Sequence, residues 1–406
     1  MERKWRQSTA KRTISGPSFI QGVIDFDFSV GSNTVFIPSK SYFRIGVHLE
    51  SLDAALAAQP LTGVELAFAN FCPGNMFDNC FFYAGGQNVS SCINYGPQAH
   101  ALSYRLRKSG AWMNSIGKDA YGIAASYGLR KAHVDEASIP DLLPMCPALD
   151  GGDAAIRYFI YQPPLGIMEH SKPMGAGQYR FQFNPASNYA TACVESEDAA
   201  TRFRFTVDSM ELYVCEEKMD SSPTGTDVLH LLEHQVQSKK MDNPSLDFTV
   251  PPSTKAITIF VQAGVAGTDI RIPPSKFTTL TGTQAILQNL QLTYANTTKP
   301  PTNWSSDSGA HILKLQQRYL DTQIESGQAF SSGGCETMAD WLLNGPIYHY
   351  TFVRDANDRS TQVQLSTQWK GGLDPADNLF LVAHYTRSVE IQVESGYIAS
   401  VSSLNL

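Results

Sequence analysis

The sequence predicts an all-β protein built of two consecutive jelly-roll β-sandwich domains with short helical insertions, and three observations carry that prediction. Each half of the chain closes on a strand in which apolar and polar residues alternate. Short extended runs are punctuated throughout by proline and glycine. Helical stretches are few, and none recurs between consecutive strands as a parallel α/β sheet requires.

The closing strand of the first half sets Phe203, Phe205 and Val207 against Arg202, Arg204, Thr206 and Asp208. Its counterpart near the C-terminus sets Tyr385, Val389, Ile391 and Val393 against Thr386, Glu390, Gln392 and Glu394. A period of two is what a half-buried antiparallel strand needs, because successive side chains point to opposite faces. With 406 residues and 42% hydrophobic content, the chain can fill two cores of ordinary domain size.

Residues 1–18 read as a basic N-terminal arm: Arg3, Lys4, Arg6, Lys11 and Arg12 are set against Glu2 alone, and Trp5 is nearly the only apolar residue among them. Such a segment is expected to be exposed. The first jelly roll is placed over 19–218. Ile24, Phe26, Phe28 and Val30 alternate with Asp25, Asp27 and Ser29, a second strand runs from 42 to 49, and the aromatic run Phe81, Phe82, Tyr83 breaks at Gly85-Gly86 as a tight hairpin does. From Pro97 the period becomes helical, with Ala99, Leu102 and Leu106 on one face and Gly110 as the stop. Residues 121–152 carry little periodicity and read as a long surface loop. Strands return at 157–161 and at Tyr179, Phe181 and Phe183; the apolar phase then slips between Val207 and Met210, which predicts a bulge or bend.

Residues 219–245 read as a linker with a short helix over 228–237. The second jelly roll is placed over 246–406. It opens with Phe248, Val250, Ile257, Ile259 and Val261 and continues over 287–294. Two helices interrupt it. One spans 308–326, with Ile312, Leu315 and Tyr319 on one face and Gly327 as the stop; the other spans 336–343 and ends at Asn344-Gly345-Pro346. Strands resume at Tyr348, Tyr350 and Phe352, at Val363 and Leu365, and over 379–393.

Composition narrows the function. Charged residues are 17% of the chain and the net charge is -7, so nothing draws it generally to nucleic acid and any such contact is local. The seven cysteines are odd in number, widely spaced and without a CxxC pair, which predicts free thiols in a reducing compartment. The N-terminus leads into no apolar signal segment, and no run approaches the roughly 18 apolar residues that span a bilayer. Synthesis and folding in the cytosol is the corresponding expectation.

Catalytic patterns are thin. His230-Leu-Leu-Glu233-His234 matches H-x-x-E-H, in which two histidines one helical turn apart bind zinc and the glutamate acts as base. An amphipathic helix packing Leu231 and Leu232 inward explains the same letters and no third ligand can be assigned, so His230, Glu233 and His234 are metal candidates by pattern only. Gly175-Ala176-Gly177 lacks the third glycine of a dinucleotide loop, no phosphate-binding loop occurs, and no cofactor is expected. Trp112, Trp304, Trp341 and Trp369 suit core packing as well as a sugar platform, and no carboxylates pair as acid and base. The chain is expected not to be an enzyme.

Several segments resemble double jelly-roll major capsid proteins. The run 379–396, LFLVAHYTRSVEIQVESG, is similar to the end of those proteins; Gly85-Gly86-Gln87-Asn88-Val89 followed by Pro97-Gln98-Ala99 looks like their strand-to-helix region; and Tyr161-Gln162-Pro163-Pro164-Leu165-Gly166-Ile167 looks like another recurrent segment. Together with Gln317-Arg318-Tyr319-Leu320-Asp321-Thr322 and Asp340-Trp341-Leu342-Leu343-Asn344-Gly345-Pro346, they are most similar to the capsid proteins of polinton-like viruses and virophages, within the wider PRD1–adenovirus lineage. The matches are short but keep their order along both halves.

The resemblance implies a homotrimer whose six jelly rolls form a pseudo-hexagonal capsomer. Such capsomers tile an icosahedral virion around double-stranded DNA. It also implies a vertex (penton) protein and minor capsid proteins as partners, and an inner-surface position where Arg3, Lys4, Arg6, Lys11 and Arg12 would meet genome DNA or an internal membrane. The alternative from another class is a soluble jelly-roll carbohydrate-binding protein or glycan-active enzyme.

Overall fold

The computed structural model describes residues 3–59, 66–123, 156–220, 224–278, 287–300, 311–327, 336–353, 359–369 and 374–404. Most of the 121–152 segment, expected as a loop, lies outside them.

In the first half, eight main strands build two antiparallel sheets, joined by the short strands Thr34–Phe36 and Ala58–Gln59 on the first and by a small pair, Ala67–Phe68 with Val194–Glu195: β1 (Arg3–Thr9), β2 (Ile24–Val30), β3 (Tyr42–Leu52), β4 (Phe77–Ala84), β5 (Gln87–Cys92), β6 (Arg157–Tyr161), β7 (Gly177–Pro185) and β8 (Phe203–Lys218). One sheet runs β1-β8-β3-β6 and the other β2-β7-β4-β5. Consecutive strands repeatedly cross between the sheets, so neither sheet forms without its partner. The second half supplies β9 (Gly225–Lys240), β10 (Ser245–Thr249), β11 (Thr254–Ala263), β12 (Leu287–Tyr294), β13 (Thr297–Lys299), β14 (Tyr348–Thr351), β15 (Gln362–Trp369) and β16 (Asp377–Glu394). Their sheets run β9-β16-β11-β14 and β10-β15-β12-β13. Each strand thus takes the place of the strand eight earlier, and the jelly-roll plan is stated twice. A last strand, β17 (Tyr397–Leu404), adds to the edge of β16.

The insertions also correspond. Helix α1 (Gly96–Arg105) lies between β5 and β6, and α2 (His311–Glu325) and α3 (Met338–Leu343) lie between β13 and β14. Pro97 sits in the first turn of α1, where its missing N–H costs nothing, and the helix ends at Arg105, ahead of the predicted stop at Gly110. Thr337 caps α3 by accepting from the Asp340 amide. The Gly85-Gly86 hairpin takes positive φ at both residues (56° and 81°), which side-chain-bearing residues resist, and the expected slip in β8 is a register shift between Val207 and Ser209.

The two cores are filled differently. In the first, phenylalanines from facing sheets interlock, Phe43 with Phe183 at 4.9 Å and Phe26 with Phe43 at 5.1 Å between ring centres, while Phe82 and Phe181 pack side by side within one sheet at 4.7 Å. In the second, Ile257, Ile259, Leu379 and Leu381 on one sheet and Phe248, Leu290, Leu292, Val363 and Leu365 on the other are buried.

The basic segment is exposed but ordered: Arg3–Thr9 is the edge strand of the first sheet, paired residue by residue with Glu211–Glu217 of β8. One expectation is corrected. The helix expected over 228–237 is a strand, since β9 pairs with β16 over sixteen residues without a break and that ladder overrides the local helical propensity. The second roll therefore begins at Gly225 and leaves little of the 219–245 linker. Five cysteines, Cys72, Cys80, Cys92, Cys193 and Cys215, are buried free thiols. No helix among the described residues is long and apolar enough to cross a membrane.

Candidate assembly surfaces

The five cations singled out in the sequence are tied down within the chain. Arg3 pairs with Glu217 at 2.9 Å, Arg6 with Glu216 at 2.7 Å, Lys4 with Glu216 at 3.5 Å, and Lys11 with Asp27. Arg12 donates to the carbonyls of Val23, Thr13, Ser18, Phe19 and Gly22, closing the turn that leads into β2. The side chains of Lys4 and Lys11 stay 65% and 51% exposed, which leaves them the arm's most accessible charges. The two glutamates that neutralise Arg3, Lys4 and Arg6 are some 200 residues away in sequence, so no local pattern could reveal them.

The zinc candidates are not brought together. Along a strand His230 and His234 lie four residues apart, about 13 Å, and Glu233 faces the other side. His230 bonds the Ser388 hydroxyl at 2.9 Å. Among the described residues no group of three potential ligands could hold a metal ion. Glu233 instead accepts from the Ser90 hydroxyl of β5 in the seam between the rolls. Burial raises its carboxyl to about 7, opposed by that hydrogen bond and by the charge of Arg387. Of the tryptophans, Trp341 is fully buried against Tyr319 and Tyr348, and Trp112 is half-buried beside Tyr104 and Tyr121. Trp304 lies outside the described residues.

Alternation gives each large sheet a second face. In the β9-β16-β11-β14 sheet that outer face carries Thr258, Phe260, Gln262, Phe380, Val382 and His384, all buried. Helix α1 of the first roll covers it. Tyr95 sets its ring edge-on to Phe380 at 5.2 Å, Gln98 donates to Gln262 at 3.1 Å, and Arg105 lies over Phe277, which stacks on Phe260 at 3.9 Å. Arg105 also pairs with Glu336 at 2.7 Å, both side chains nearly inaccessible, and donates to the Gly345 carbonyl at 2.8 Å. Burial raises the Glu336 carboxyl while Arg105 lowers it, so the ion pair crosses the seam in a site that tolerates neither charge alone.

The same face holds three histidines. His234 packs edge-on to His384 at 4.8 Å, and His349 lies 5.3 Å beyond. The Thr258 hydroxyl bonds His384 Nε2 at 2.7 Å and His349 Nδ1 at 2.8 Å. One hydroxyl donates a single proton, so at least one ring must donate to it. Burial, with Arg107 nearby, pushes His349 down to about 4, His234 to about 3, and His384 well below the ordinary imidazole range. A cavity of about 650 Å³ opens at this edge, walled by Leu106, Leu232, Ala256 and Phe352, with Arg107 and His384 beside it.

The outer face of the β1-β8-β3-β6 sheet has no such cover among the described residues. Tyr42 stacks on Tyr213 at 5.1 Å, and the Arg44 guanidinium sits between the rings of Tyr158 and Tyr213, 5.1 and 5.3 Å away, while bonding Glu211 at 3.0 Å. Tyr158 is 49% exposed. Sequence reasoning missed both faces because it assigned each strand one buried side.

Two sandwiches of identical strand order, joined face to helix in one chain, define a double jelly roll. No described protein family and no curated protein matches the sequence. Among solved structures, a chain in the cryo-EM structure of the Sputnik virophage is similar over 100% of this chain and 88% of its own, with TM-score 0.63 and 12% identity. The mavirus major capsid protein matches over 98% and 90%, with TM-score 0.52 and 10% identity. The Faustovirus major capsid protein matches over 97% and 90%, with TM-score 0.50 and 7% identity. The shared property is the fold, along nearly the full length of each chain.

Proposed function

We propose that this protein is a viral major capsid protein: a homotrimer of pseudo-hexagonal outline that tiles an icosahedral shell around double-stranded DNA. The observation that carries the reading is the likeness to capsid chains over 98–100% of this chain and 88–90% of theirs. Two sandwiches of one topology supply two near-equivalent corners per chain, and three copies supply six. The role is structural rather than catalytic. Burial of apolar surface holds the trimer, and weaker contacts between trimers allow misplaced capsomers to be corrected. Vertex and minor capsid proteins are the further partners in this reading, and the virion is its location. Contact of β1 with genome phosphates or an internal membrane falls mainly to Lys4 and Lys11, the two cations left most exposed.

Light scattering behind a sizing column, over a dilution series, tests this directly. A mass of three times 44.6 kDa that resists dilution, followed by shells in electron micrographs, is the expected result. A monomer at every concentration overturns it.

A further inference from the structure

We propose that the cavity at the edge of the seam between the two rolls binds a fatty-acid-like molecule, an apolar chain ending in a carboxylate. The site lies wholly within one chain, so it stands apart from the capsid reading.

Both rolls contribute to its walls. Leu106 and Arg107 follow α1 of the first roll, while Leu232 of β9, Ala256 of β11, Phe352 after β14 and His384 of β16 belong to the second. The volume of about 650 Å³ falls within the roughly 300–1,000 Å³ of sites that enclose small molecules. Leu106, Leu232, Ala256 and Phe352 give it an apolar lining, which water wets poorly and a hydrocarbon chain covers with a gain.

The charges at the cavity are out of balance in one direction. Arg107, Lys255 and Arg359 line it against a single carboxylate, Glu325, which already accepts from Lys299 at 2.8 Å and from the Thr351 amide at 3.0 Å. The ammonium of the exposed Lys255 has no ion pair among the described residues. Arg107 pairs with Glu169, and burial still lowers its guanidinium to about 10, so a further anion beside it is favoured.

Two buried imidazoles add a directed polar pair. His349 bonds Thr258 through Nδ1 and His384 through Nε2, both rings line the cavity, and neither has a second hydrogen-bond partner among the described residues. Each is uncharged at neutral pH and carries one N–H, because burial pushes His349 down to about 4 and His384 well below the ordinary imidazole range. A ring that takes the Thr258 proton therefore carries its own N–H on the far nitrogen, where it can donate to a carboxylate oxygen; a ring that donates to Thr258 keeps a lone pair there, which suits water. A chain with a carboxylate end meets these demands together, with hydrocarbon on the apolar wall and oxygen on the cations and the imidazole N–H. A neutral hydrocarbon leaves the cations unanswered, and a small hydrophilic anion leaves the apolar wall wet.

The test uses the full chain, delipidated and titrated with laurate below its micellar range, with dodecanol and acetate as the tail and the charge alone. Laurate should bind saturably at one per chain and raise the melting temperature, dodecanol should bind about tenfold more weakly or worse, and acetate at the same concentration should change nothing. K255E reverses a charge at an exposed position and should weaken laurate about tenfold while leaving dodecanol unaffected, the scale of one charge-assisted contact. S326W sets a large ring at the half-buried position just after α2, on the cavity wall, and should abolish laurate binding. Circular dichroism and the melting curve without ligand verify that both variants fold. No saturable laurate binding, equal affinity for laurate and dodecanol, or laurate binding that neither variant changes overturns the proposal and leaves the capsid reading in place.

Discussion

The outer faces of the two large sheets occupy equivalent places in equivalent folds, yet one is a closed seam of histidine, glutamine and phenylalanine and the other an open field of tyrosine and arginine. Strand order is therefore not what decides whether a face is buried. The second sheet is closed because α1 reaches it, and its polar residues survive burial only through partners: Gln262 through Gln98, Thr258 through two imidazoles, Glu336 through Arg105. On the first sheet the polar residues remain partly hydrated, and Arg44 and Glu211 can hold their charges without such enclosure.

Breaking the seam at its ion pair has the largest expected effect. R105M strands the Glu336 carboxylate in an inaccessible site and should cost about 3–5 kcal/mol, read as a fall in melting temperature. R105M/E336M should recover part of that loss, short of all of it because Arg105 also serves the Asn344 and Gly345 carbonyls. A double variant no more stable than R105M alone would show that charge is not what the seam depends on.

Glycines on the two surfaces sharpen the contrast. A Cβ at Gly166 would lie 2.7 Å from the Leu232 carbonyl oxygen, a backbone atom of the opposing roll, and 3.1 Å from Glu233 Oε1. G166A should therefore push the rolls apart and cost about 1–3 kcal/mol in thermal unfolding. A Cβ at Gly46 meets only side-chain ends, Ser209 Oγ at 2.7 Å and Tyr158 Cε1 at 3.0 Å, on the open face. G46A should be the milder of the two in the same assay.

Acid should loosen the closed face through its histidines. His349 titrates near 4 when folded and near 6.5 when unfolded, so between those values the unfolded chain binds more protons and stability falls as pH drops. The groups facing the cluster are Arg107 from the segment after α1, Lys299 and Glu325, the last of which favours protonation. H349Q should lower the melting temperature at pH 7 yet show a shallower further fall between pH 6.5 and 4.5. Glu233 runs the other way: its folded value near 7 lies above the ordinary carboxyl value of 4.5, so its contribution is present in acid and lost as pH rises through 7. Melting curves of E233Q should flatten between about pH 4.5 and 7, and an unchanged slope in either variant would assign the pH response elsewhere.

The smallest effect belongs to the open face. Arg204 pairs with Glu50 at 2.9 Å with both side chains partly in water, and R204A should change stability by about 0–1 kcal/mol. A larger loss in the assembled protein than in the protomer would point to a neighbouring copy over that face.

Much of the fold was legible locally. The alternation in β2, β7 and β8, the Gly85-Gly86 hairpin, the slip after Val207 and the stops of α2 and α3 are dictated by side-chain period and by the backbone freedom of glycine and proline. Two segments escaped local reading for one reason. The letters of β9 suit a helix and those of β1 an exposed arm, because leucine, glutamate and arginine carry no strong extended preference of their own. Each became a strand only through pairing with β16 and β8, more than 130 residues away. The sequence by itself determined two β-rich halves and the position of their helical insertions, since those follow from periods of two and 3.6 within a few residues. Only the tertiary structure decided which sheet face is closed, which cations are neutralised, and that His234 meets His384 while Glu233 meets Ser90, because these depend on distances across the fold that no local period encodes.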